Sequence, residues 1–311
     1  MRYFEQFSQM KKLNTLLGII LGLTLICCSS DSDENSNSQK HLTNINYSYL
    51  DGQIRLTQNL VYDANNNLIE INDENGLVMS SYDYNGSDRL IKVVDFQYND
   101  DGTNFEFIKN ISYNNDNKIS NIEIIDNIYN AEDGKLIGMY NYNKVVNYGD
   151  NTITVVTDGI GSETVILSLS NNWITGVKII RKNTLQADMV FTYDNEGNCI
   201  SGSGLYQPGL YDTTDIDLNV IYGNEEKNPH FNAFFYFNVL CYNNSFFNLK
   251  RVLIEQQGTK YPKKIQWYQF EGWNYRDYHE YSFDIDGSII SKKTNVFNTN
   301  TYGEIVSYTW E

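Results

Sequence analysis

Residues 193–200 read Tyr193-Asp194-Asn195-Glu196-Gly197-Asn198-Cys199-Ile200 and hold the turn that decides the fold. Tyr193 ends an incoming strand, and the side chain of Asp194 bonds the nearby backbone. Gly197 supplies the positive φ that a tight reversal needs. Residues 187–193 alternate between two faces, with the Ala, Met, Phe and Tyr side chains on one of them. This stretch is therefore predicted to be a β-hairpin.

The same frame recurs along the chain, with an aromatic residue followed four positions later by Gly or Asn and six positions later by an apolar residue. Regular copies are Tyr62-Asp63 with Leu68, Tyr113 with Asn117 and Ile119, and Phe283 with Gly287 and Ile289. Looser copies are Tyr82 with Gly86 and Leu90, Tyr98 with Gly102 and Phe105, and Tyr129 with Gly134 and Leu136. The 25 Tyr and 15 Phe, against 3 Pro, also favour strands. We predict an all-β fold, in which a long antiparallel meander of hairpins forms a curled, partly open, barrel-like sheet.

These turns resemble the YD repeats of the Rhs type, whose motif is Tyr-Asp-x-x-Gly-Asn-x-aliphatic, although the copies here are few and unevenly spaced. The chain is also similar to a family of Bacteroidetes-type lipoproteins, a domain of unknown function described as having a porin-like fold. That family tends to carry a break late in the chain, which Lys227-Asn228-Pro229-His230-Phe231 resembles, with His230 as a departure. The resemblance implies a fold without an activity. We expect a short loop or helix cap near residues 228–248.

The amino terminus reads as the signal peptide of a lipoprotein. Met10 is the expected natural start, because two lysines follow it and an apolar run then extends to Ile26. The run is shorter than the roughly 20 residues of a membrane-spanning helix and leads directly into small residues and cysteine. We assign residues 1–27 to the signal and the lipid to Cys28, because Cys27 before it is fairly small. Lipidation of Cys27 is the alternative.

A polar segment follows the lipidation site. Residues 29–40 have no apolar side chain to bury, so residues 28–42 are predicted to form a flexible tether to a single antiparallel β domain over residues 43–311. The acidic start of the tether resembles the surface-export signal of Bacteroidetes-type lipoproteins. We therefore expect a lipid-anchored protein of the outer membrane that is displayed on the cell surface, with the periplasmic face as the alternative.

The net charge limits the partners. The formal charge of the chain is −16, and it is about −18 without the signal peptide, by the same counting. Such a surface repels the phosphates of nucleic acids, whose binding depends on Lys and Arg. It also repels anionic lipid headgroups. We expect no nucleic-acid partner, and the lipid is the expected link to the membrane.

One aromatic stretch is the best candidate for a binding surface. Flat rings beside polar side chains can stack on the faces of sugars. The candidate residues are Trp267, Tyr268, Phe270, Trp273 and Tyr275. The alternative is that these rings form the buried face of two strands around a turn at Gly272.

No catalytic motif stands out in the sequence. None of the three histidines has a metal-binding spacing, and neither a nucleophile elbow nor a phosphate-binding glycine loop is present. Glu271 and Glu280 are the obvious candidates for a glycosidase pair. We expect both to be solvent-facing strand residues instead, and we expect the protein not to be an enzyme.

Two further features leave alternatives open. Asp284-Ile285-Asp286-Gly287 and Asp100-Asp101-Gly102 look like fragments of calcium loops, but both fall where the repeat places a turn. We therefore expect no metal and no cofactor, with calcium as the alternative. Cys199 and Cys241 can pair in an oxidising compartment, or Cys199 can be a small core residue.

The sequence thus predicts an all-β surface lipoprotein that binds a glycan or another envelope component without catalysis. A structural scaffold that contacts another protein along a sheet edge is the first alternative. A glycoside hydrolase that uses Glu271 or Glu280 is the second.

Overall fold

The structure is a computed structural model that describes residues 41–99, 102–159, 162–171, 173–206, 214–226, 240, 254, 259–269, 273–285, 288–297 and 303–311. Within these residues the chain forms eighteen strands. The first nine are β1 (Leu42–Tyr49), β2 (Ile54–Tyr62), β3 (Leu68–Asn72), β4 (Val78–Tyr84), β5 (Leu90–Tyr98), β6 (Thr103–Tyr113), β7 (Ile119–Asn130), β8 (Leu136–Tyr148) and β9 (Thr152–Thr157). The other nine are β10 (Glu163–Ser170), β11 (Trp173–Arg181), β12 (Thr184–Tyr193), β13 (Cys199–Tyr206), β14 (Thr214–Glu226), β15 (Lys260–Gln269), β16 (Trp273–Phe283), β17 (Ile289–Phe297) and β18 (Gly303–Trp310).

Each strand pairs antiparallel with the next one along the chain, and the last strand pairs with the first. The predicted all-β antiparallel meander is confirmed. The sheet is a closed barrel, however, and not a partly open one. Closure occurs because β18 pairs with β1 from Leu42↔Trp310 to Tyr49↔Glu304. Two backbone hydrogen bonds between His41 and Glu311, of 2.6 and 2.8 Å, continue this seam.

The barrel has two distinct ends. The turns after the even-numbered strands, together with the start of β1 and the end of β18, lie at one end, which we call the tyrosine end. The turns after the odd-numbered strands lie at the other, which we call the opposite end. β1 begins at Leu42, which is fully buried, so the folded chain includes the last residue of the predicted tether.

Alternate residues of each strand face a common apolar core, and we call this side of the sheet the core face. Ile122 and Ile124 of β7 are fully buried there, and so is Leu167 of β10. Leu240 and Ile254, which lie between β14 and β15, belong to the same core with 1% and 0% exposure. Most of the predicted cap at residues 228–248 lies outside the described residues. Its described residue, Leu240, contributes to the core of a closed barrel.

The repeat frame differs from the prediction at one place. The looser copy was expected to begin at Tyr82 with the turn at Gly86. In the structure β4 continues to Tyr84, and the positive φ of 54° is at Asp88, four positions after Tyr84. Tyr82 instead has its side chain in the core. The frame follows Tyr84 because the next turn residue, Asn85, accepts the backbone hydrogen bonds of the turn.

Among the described residues, no helix has the length and apolar character needed to cross a membrane. The predicted signal peptide, both candidate lipidation residues, Cys27 and Cys28, and most of the tether lie outside the described part of the chain.

Candidate functional site

The repeat turns are built by an acidic or amide side chain that accepts backbone hydrogen bonds. Asp63 Oδ1 accepts from the N–H groups of Asn65 and Asn67, each at 2.8 Å. Asn66 takes a positive φ of 66° between them. Burial raises the pKa of Asp63, but the hydrogen bonds from Asn67 and Asn65 outweigh it, so the pKa lies below its usual value. Asp194 repeats the arrangement, and Gly197 has a φ of 80°.

The hydroxyl of the repeat tyrosine hydrogen-bonds a backbone carbonyl of a neighbouring strand. The hydroxyl of Tyr62 donates to the carbonyl oxygen of Leu42 at 2.8 Å. The ladder between β1 and β2 ends at Asn44↔Asn59, so Leu42 lies two positions beyond its last pair. The same relation joins an aromatic residue near the end of several even-numbered strands to one of the first residues of the preceding strand. The pairs are Tyr84–Leu68, Tyr113–Leu90, Tyr193–Ile174, Tyr222–Cys199, Tyr281–Pro262 and Trp310–Ile289.

The tyrosine hydroxyls, and the indole N–H of Trp310, donate to carbonyl oxygens beyond the end of the ladder, and buried backbone groups need such partners. The repeat residues therefore stabilise the wall of the barrel and do not form a ligand site. Asn117 lies in its turn with a φ of 62°. Phe283 packs on Tyr261, with ring centroids 5.7 Å apart, and Gly287 lies outside the described residues.

The predicted aromatic stretch lies at the opposite end, where β15 passes into β16. The pairing places Trp267 across from Tyr275 and Gln269 across from Trp273. The side chains of Trp267, Tyr268, Trp273 and Tyr275, and the whole of residues 270–272, lie outside what the structure describes. Phe270 and Glu271 are among them. The other predicted carboxylate, Glu280, is exposed on β16.

The calcium-like fragments are turns where they are described. Asp284 Oδ1 accepts from the N–H of Ser288 at 2.8 Å, while Asp100, Asp101, Asp286 and Gly287 lie outside the described residues. Within the described part of the chain, no three His, Cys, Asp or Glu side chains gather as metal ligands. Cys199 is a free thiol in the core, and burial raises its pKa to about 12. Cys241 is not among the described residues.

Polar side chains that the sequence did not single out meet on the core face of neighbouring strands. Asp95 of β5 pairs in register with Phe107 of β6, which pairs with Asp126 of β7, which in turn pairs with Tyr140 of β8. We call these four residues the luminal row. Side chains opposite each other on one face of a sheet lie about 5 Å apart, so the row forms a continuous strip across four strands.

A buried ion pair stands beside the luminal row. Lys109 Nζ bonds Asp95 Oδ2, and the two side chains are 6% and 12% exposed. Ser80 donates to the other carboxylate oxygen of Asp95 at 2.8 Å. Asp126 is nearby, and burial raises its pKa while the charge of Lys109 lowers it, with burial prevailing. The ion pair fixes Asp95, whereas Asp126 has no such bound partner among the residues that the structure describes.

Two buried acceptors in this region have no hydrogen-bond donor among the described residues. They are Asp126 Oδ1 and Gln97 Oε1. Gln97 is 8% exposed, and its core-face partner in the pairing is Phe105. Phe105 and Phe107 present parallel rings, with centroids 5.9 Å apart and planes 4° apart. Tyr140, at the end of the luminal row, is 53% exposed. Flat rings and buried acceptors without a described donor thus lie on the same part of the core face.

The sequence signal for this site is weak but readable. β6 alternates Phe105, Phe107, Lys109 and Ile111 on one face. A lysine inside an otherwise apolar face needs a buried partner. That pattern indicates an internal charge, but the partner on β5 follows only from the register.

Comparison with known proteins bears on the repeats and on the fold. The family model described as RHS Repeat matches residues 62–100, which confirms the predicted resemblance over that part of the chain. No curated protein matches. The chain is similar to solved structures from three bacteria. A porin-like protein from Bacteroides vulgatus is 12% identical, with a TM-score of 0.46, over 88% of this chain and 99% of that one.

A porin-like protein from Bacteroides uniformis is 11% identical, with a TM-score of 0.33, over 71% of this chain and 95% of that one. The Tc holotoxin pore of Photorhabdus luminescens is 10% identical, with a TM-score of 0.22, over 83% of this chain and 15% of that one. The protein thus carries an RHS repeat within the wall of a closed antiparallel barrel.

Proposed function

We propose that this protein is a lipid-anchored lipoprotein of the bacterial outer membrane that binds a glycan at the luminal row, without catalysis. The observation that carries the proposal is the meeting of the parallel rings of Phe105 and Phe107 with the unsatisfied acceptors of Gln97 and Asp126. Binding sites are typically concave and mostly apolar, with a few placed polar groups.

The chemistry of this site favours a polyhydroxylated ligand. Gln97 Oε1 and Asp126 Oδ1 accept hydrogen bonds, and hydroxyl groups donate them. An acceptor that is buried without a partner costs free energy, roughly 1–3 kcal/mol for each group. A ligand hydroxyl recovers part of that cost, and the adjacent ring faces cover the apolar side of a sugar. An anionic ligand is disfavoured, because the core-face carboxylates repel it.

The predicted tether joins the barrel at the tyrosine end. The predicted lipid on Cys28 precedes β1, which begins at the tyrosine end. We therefore expect the tyrosine end to face the membrane. The luminal row then opens away from it, where a glycan from outside the cell can enter.

The outer face of β6 and β7 carries hydrogen-bonded polar side chains. The Asn110 side chain donates to Glu123 at 2.9 Å, and the Asn127 side chain donates to Glu106 at 2.8 Å, all in the middle of strands. Membrane-facing strands carry apolar side chains at such positions. We therefore expect this face to stand in water, with the lipid as the link to the membrane.

The experiment is a glycan array with the mature chain purified in detergent, run with calcium and with a chelator. We expect binding that is specific and insensitive to the chelator. Phe105→Ala and Asp126→Asn should each weaken it about tenfold, equivalent to about 1.4 kcal/mol. Phe96→Ala is the matched control, because Phe96 is a ring on the outer face of neighbouring β5 and should leave binding unchanged.

The other outcomes reassign the site. Loss of binding in Trp267→Ala or Trp273→Ala, with Phe105→Ala unaffected, would move the site to the β15–β16 turn. Turnover of a bound glycan that disappears in Glu280→Gln would favour a hydrolase. Loss of binding in the chelator would favour a calcium site. A blank array would end the glycan proposal and favour a protein partner.

A further inference from the structure

Strand β8 is longer than its neighbour β9. It pairs with β7 from Leu136 onward, but with β9 only from Lys144 to Tyr148. The stretch Leu136–Tyr142 therefore has a strand on one side only, among the residues that the structure describes. On the tyrosine-end side of this stretch, β8 pairs with β9 and the barrel is closed. At the opposite end, the missing pairing beside residues 136–142 leaves a notch. We call residues 136–142 the β8 edge.

Backbone groups of the β8 edge point into the notch. The N–H and C=O of Asn143 both point towards the β9 side, where they bond Asp158 at 2.7 and 3.0 Å. Successive residues of a strand direct these groups to alternate sides. The same groups of Met139 and Asn141 therefore also point away from β7, and a bulge between Leu136 and Gly138 breaks the alternation before Ile137. They form a row of main-chain donors and acceptors that an added strand can pair with.

The side chains of the β8 edge are apolar and exposed. Leu136 is 52% exposed, Ile137 59%, Met139 61% and Tyr140 53%. No charged residue and no proline occurs from 136 to 142. Natural edge strands are usually blunted by lysine, proline or a covering loop. The β8 edge has neither lysine nor proline. This favours a role in pairing with another strand over simple exposure to water.

We propose that the β8 edge is a docking site for an extended segment of a partner protein, which pairs with Met139 and Asn141 as an additional strand. Main-chain hydrogen bonds hold such a segment, and alternate side chains give it specificity. Its apolar side chains cover Ile137 and Met139 on the outer face and Tyr140 on the core face. Tyr140 also belongs to the luminal row, so the two sites adjoin, and separate variants test them: Met139→Pro for the β8 edge and Phe105→Ala for glycan binding.

The charges around the β8 edge indicate the chemistry of the partner segment. Acidic groups surround the edge: Glu123 accepts from the Asn141 side chain, Asp158 bonds Asn143, and Glu132 and Asp133 stand at the β7–β8 turn. The nearby base, Lys135, is paired with Asp133 at 2.6 Å. The partner segment therefore carries basic residues at its flanks.

Two other occupants fit less well. A second copy of this chain, paired antiparallel through β8, brings the Glu132 and Asp133 of one copy towards the Asp158 of the other. The chain's own residues 29–40 have no apolar side chain to cover Met139. They also precede β1 at the tyrosine end.

The test uses the mature chain and a synthetic peptide, Lys-Lys-Val-Thr-Val-Thr-Val-Lys-Lys, labelled for fluorescence anisotropy. We expect saturable binding. We also expect protection of the amide hydrogens of Met139 and Asn141 from exchange when the peptide is bound. A peptide with alternate backbone nitrogens methylated, and one with Glu in place of Lys, should each bind at least tenfold more weakly.

The variants separate the edge from the barrel. Met139→Pro removes an N–H that faces the notch and leaves the ladder to β7 intact, so it should abolish peptide binding without lowering the melting temperature much. Met139→Leu keeps the N–H and should bind as the parent does. Val190→Lys, at an equally exposed position on a strand paired on both sides, is the control for surface changes.

Equal peptide binding by the parent and Met139→Pro would overturn the proposal, as would an absence of amide protection at the β8 edge in the parent chain. Sedimentation velocity tests the second copy. A dimer of the parent that is lost in Met139→Pro would replace the partner segment with another copy of this chain.

Discussion

The hydroxyl of Tyr113 donates a 2.8 Å hydrogen bond to the carbonyl oxygen of Leu90, across the end of the ladder between β6 and β5. That ladder stops at Lys92↔Asn110, two positions after Leu90. The aromatic residue of one repeat thus completes the strand that begins after the previous repeat. Each such tyrosine ties two successive hairpins together, which gives its hydroxyl a role in addition to that of the ring.

Tyr113→Phe should lower the free energy of unfolding by about 1 kcal/mol, because it removes one partly buried hydrogen bond while keeping the ring. Tyr140→Phe is the matched control. Its hydroxyl is on a 53% exposed side chain, so its loss should change stability by less than about 0.5 kcal/mol. Urea denaturation followed by circular dichroism measures both. Equal effects from the two variants would contradict a special role for the repeat hydroxyl.

The hairpins were readable in the sequence because their signals are local. Tyr193, Asp194 and Gly197 lie within five residues, and each has a role that side-chain chemistry alone predicts. Closure of the barrel could not be predicted from the sequence, because it depends on the pairing of β1 with β18, which are far apart in the chain. A two-position shift of the frame, from Tyr82 to Tyr84, was also missed, since Gly86 offered a plausible turn residue.

The candidate site depends on register and was therefore hidden. Asp95 and Lys109 are fourteen residues apart, and their contact requires the pairing of β5 with β6. The aromatic stretch at residues 267–275 drew the prediction because its rings are adjacent in sequence. Phe105 and Phe107 are equally close in sequence. They became part of a candidate site only because Gln97 and Asp126 lie on the neighbouring strands.

Acid should weaken the turns through their aspartates. The backbone N–H of Leu77 is the main cause that lowers the pKa of Asp73 from its usual 3.8. A lowered folded-state pKa gives stability that is present above the unfolded value and is lost as the pH falls through the folded value. Asp73→Asn should therefore fold equally well at pH 7 and lose less stability between pH 4 and pH 2.

Asparagine is a fair replacement because Asn114 already accepts two backbone hydrogen bonds of 3.0 Å in the same kind of turn. The reverse change, Asn114→Asp, should add acid sensitivity. Urea midpoints measured from pH 2 to pH 7 test both variants. Parallel pH profiles for the parent and the two variants would refute this account.

Cys199 should be inert in the folded protein. It is fully buried, and burial raises the pKa of its thiol to about 12. A thiol reagent at pH 8 should label it only after denaturation. Because the folded pKa lies above the usual 9.0, its contribution to stability is present below pH 9 and is lost as the pH rises towards 12. Mass spectrometry of the labelled peptides gives the answer. Rapid labelling of the native chain, or none after unfolding without reductant, would contradict a buried free thiol.

The ion pair of Asp95 and Lys109 gives the strongest mutational test of the barrel interior. Lys109→Met leaves the Asp95 carboxylate buried with Ser80 as its remaining described partner, and the loss should be about 3–5 kcal/mol. Asp95→Asn should also destabilise, because the buried lysine then loses its bound carboxylate.

The double variant, Asp95→Asn with Lys109→Met, removes both charges and should be more stable than Lys109→Met alone. The pair of Lys178 and Asp188, 3.3 Å apart with both side chains 44% exposed, provides the matched cycle. Its coupling energy should stay below about 1 kcal/mol, since exposed pairs are screened by water. Denaturant unfolding of all six variants decides the matter. If the two cycles give equal coupling, the Asp95 and Lys109 pair is not shielded from solvent, and the enclosed luminal row loses its main electrostatic support.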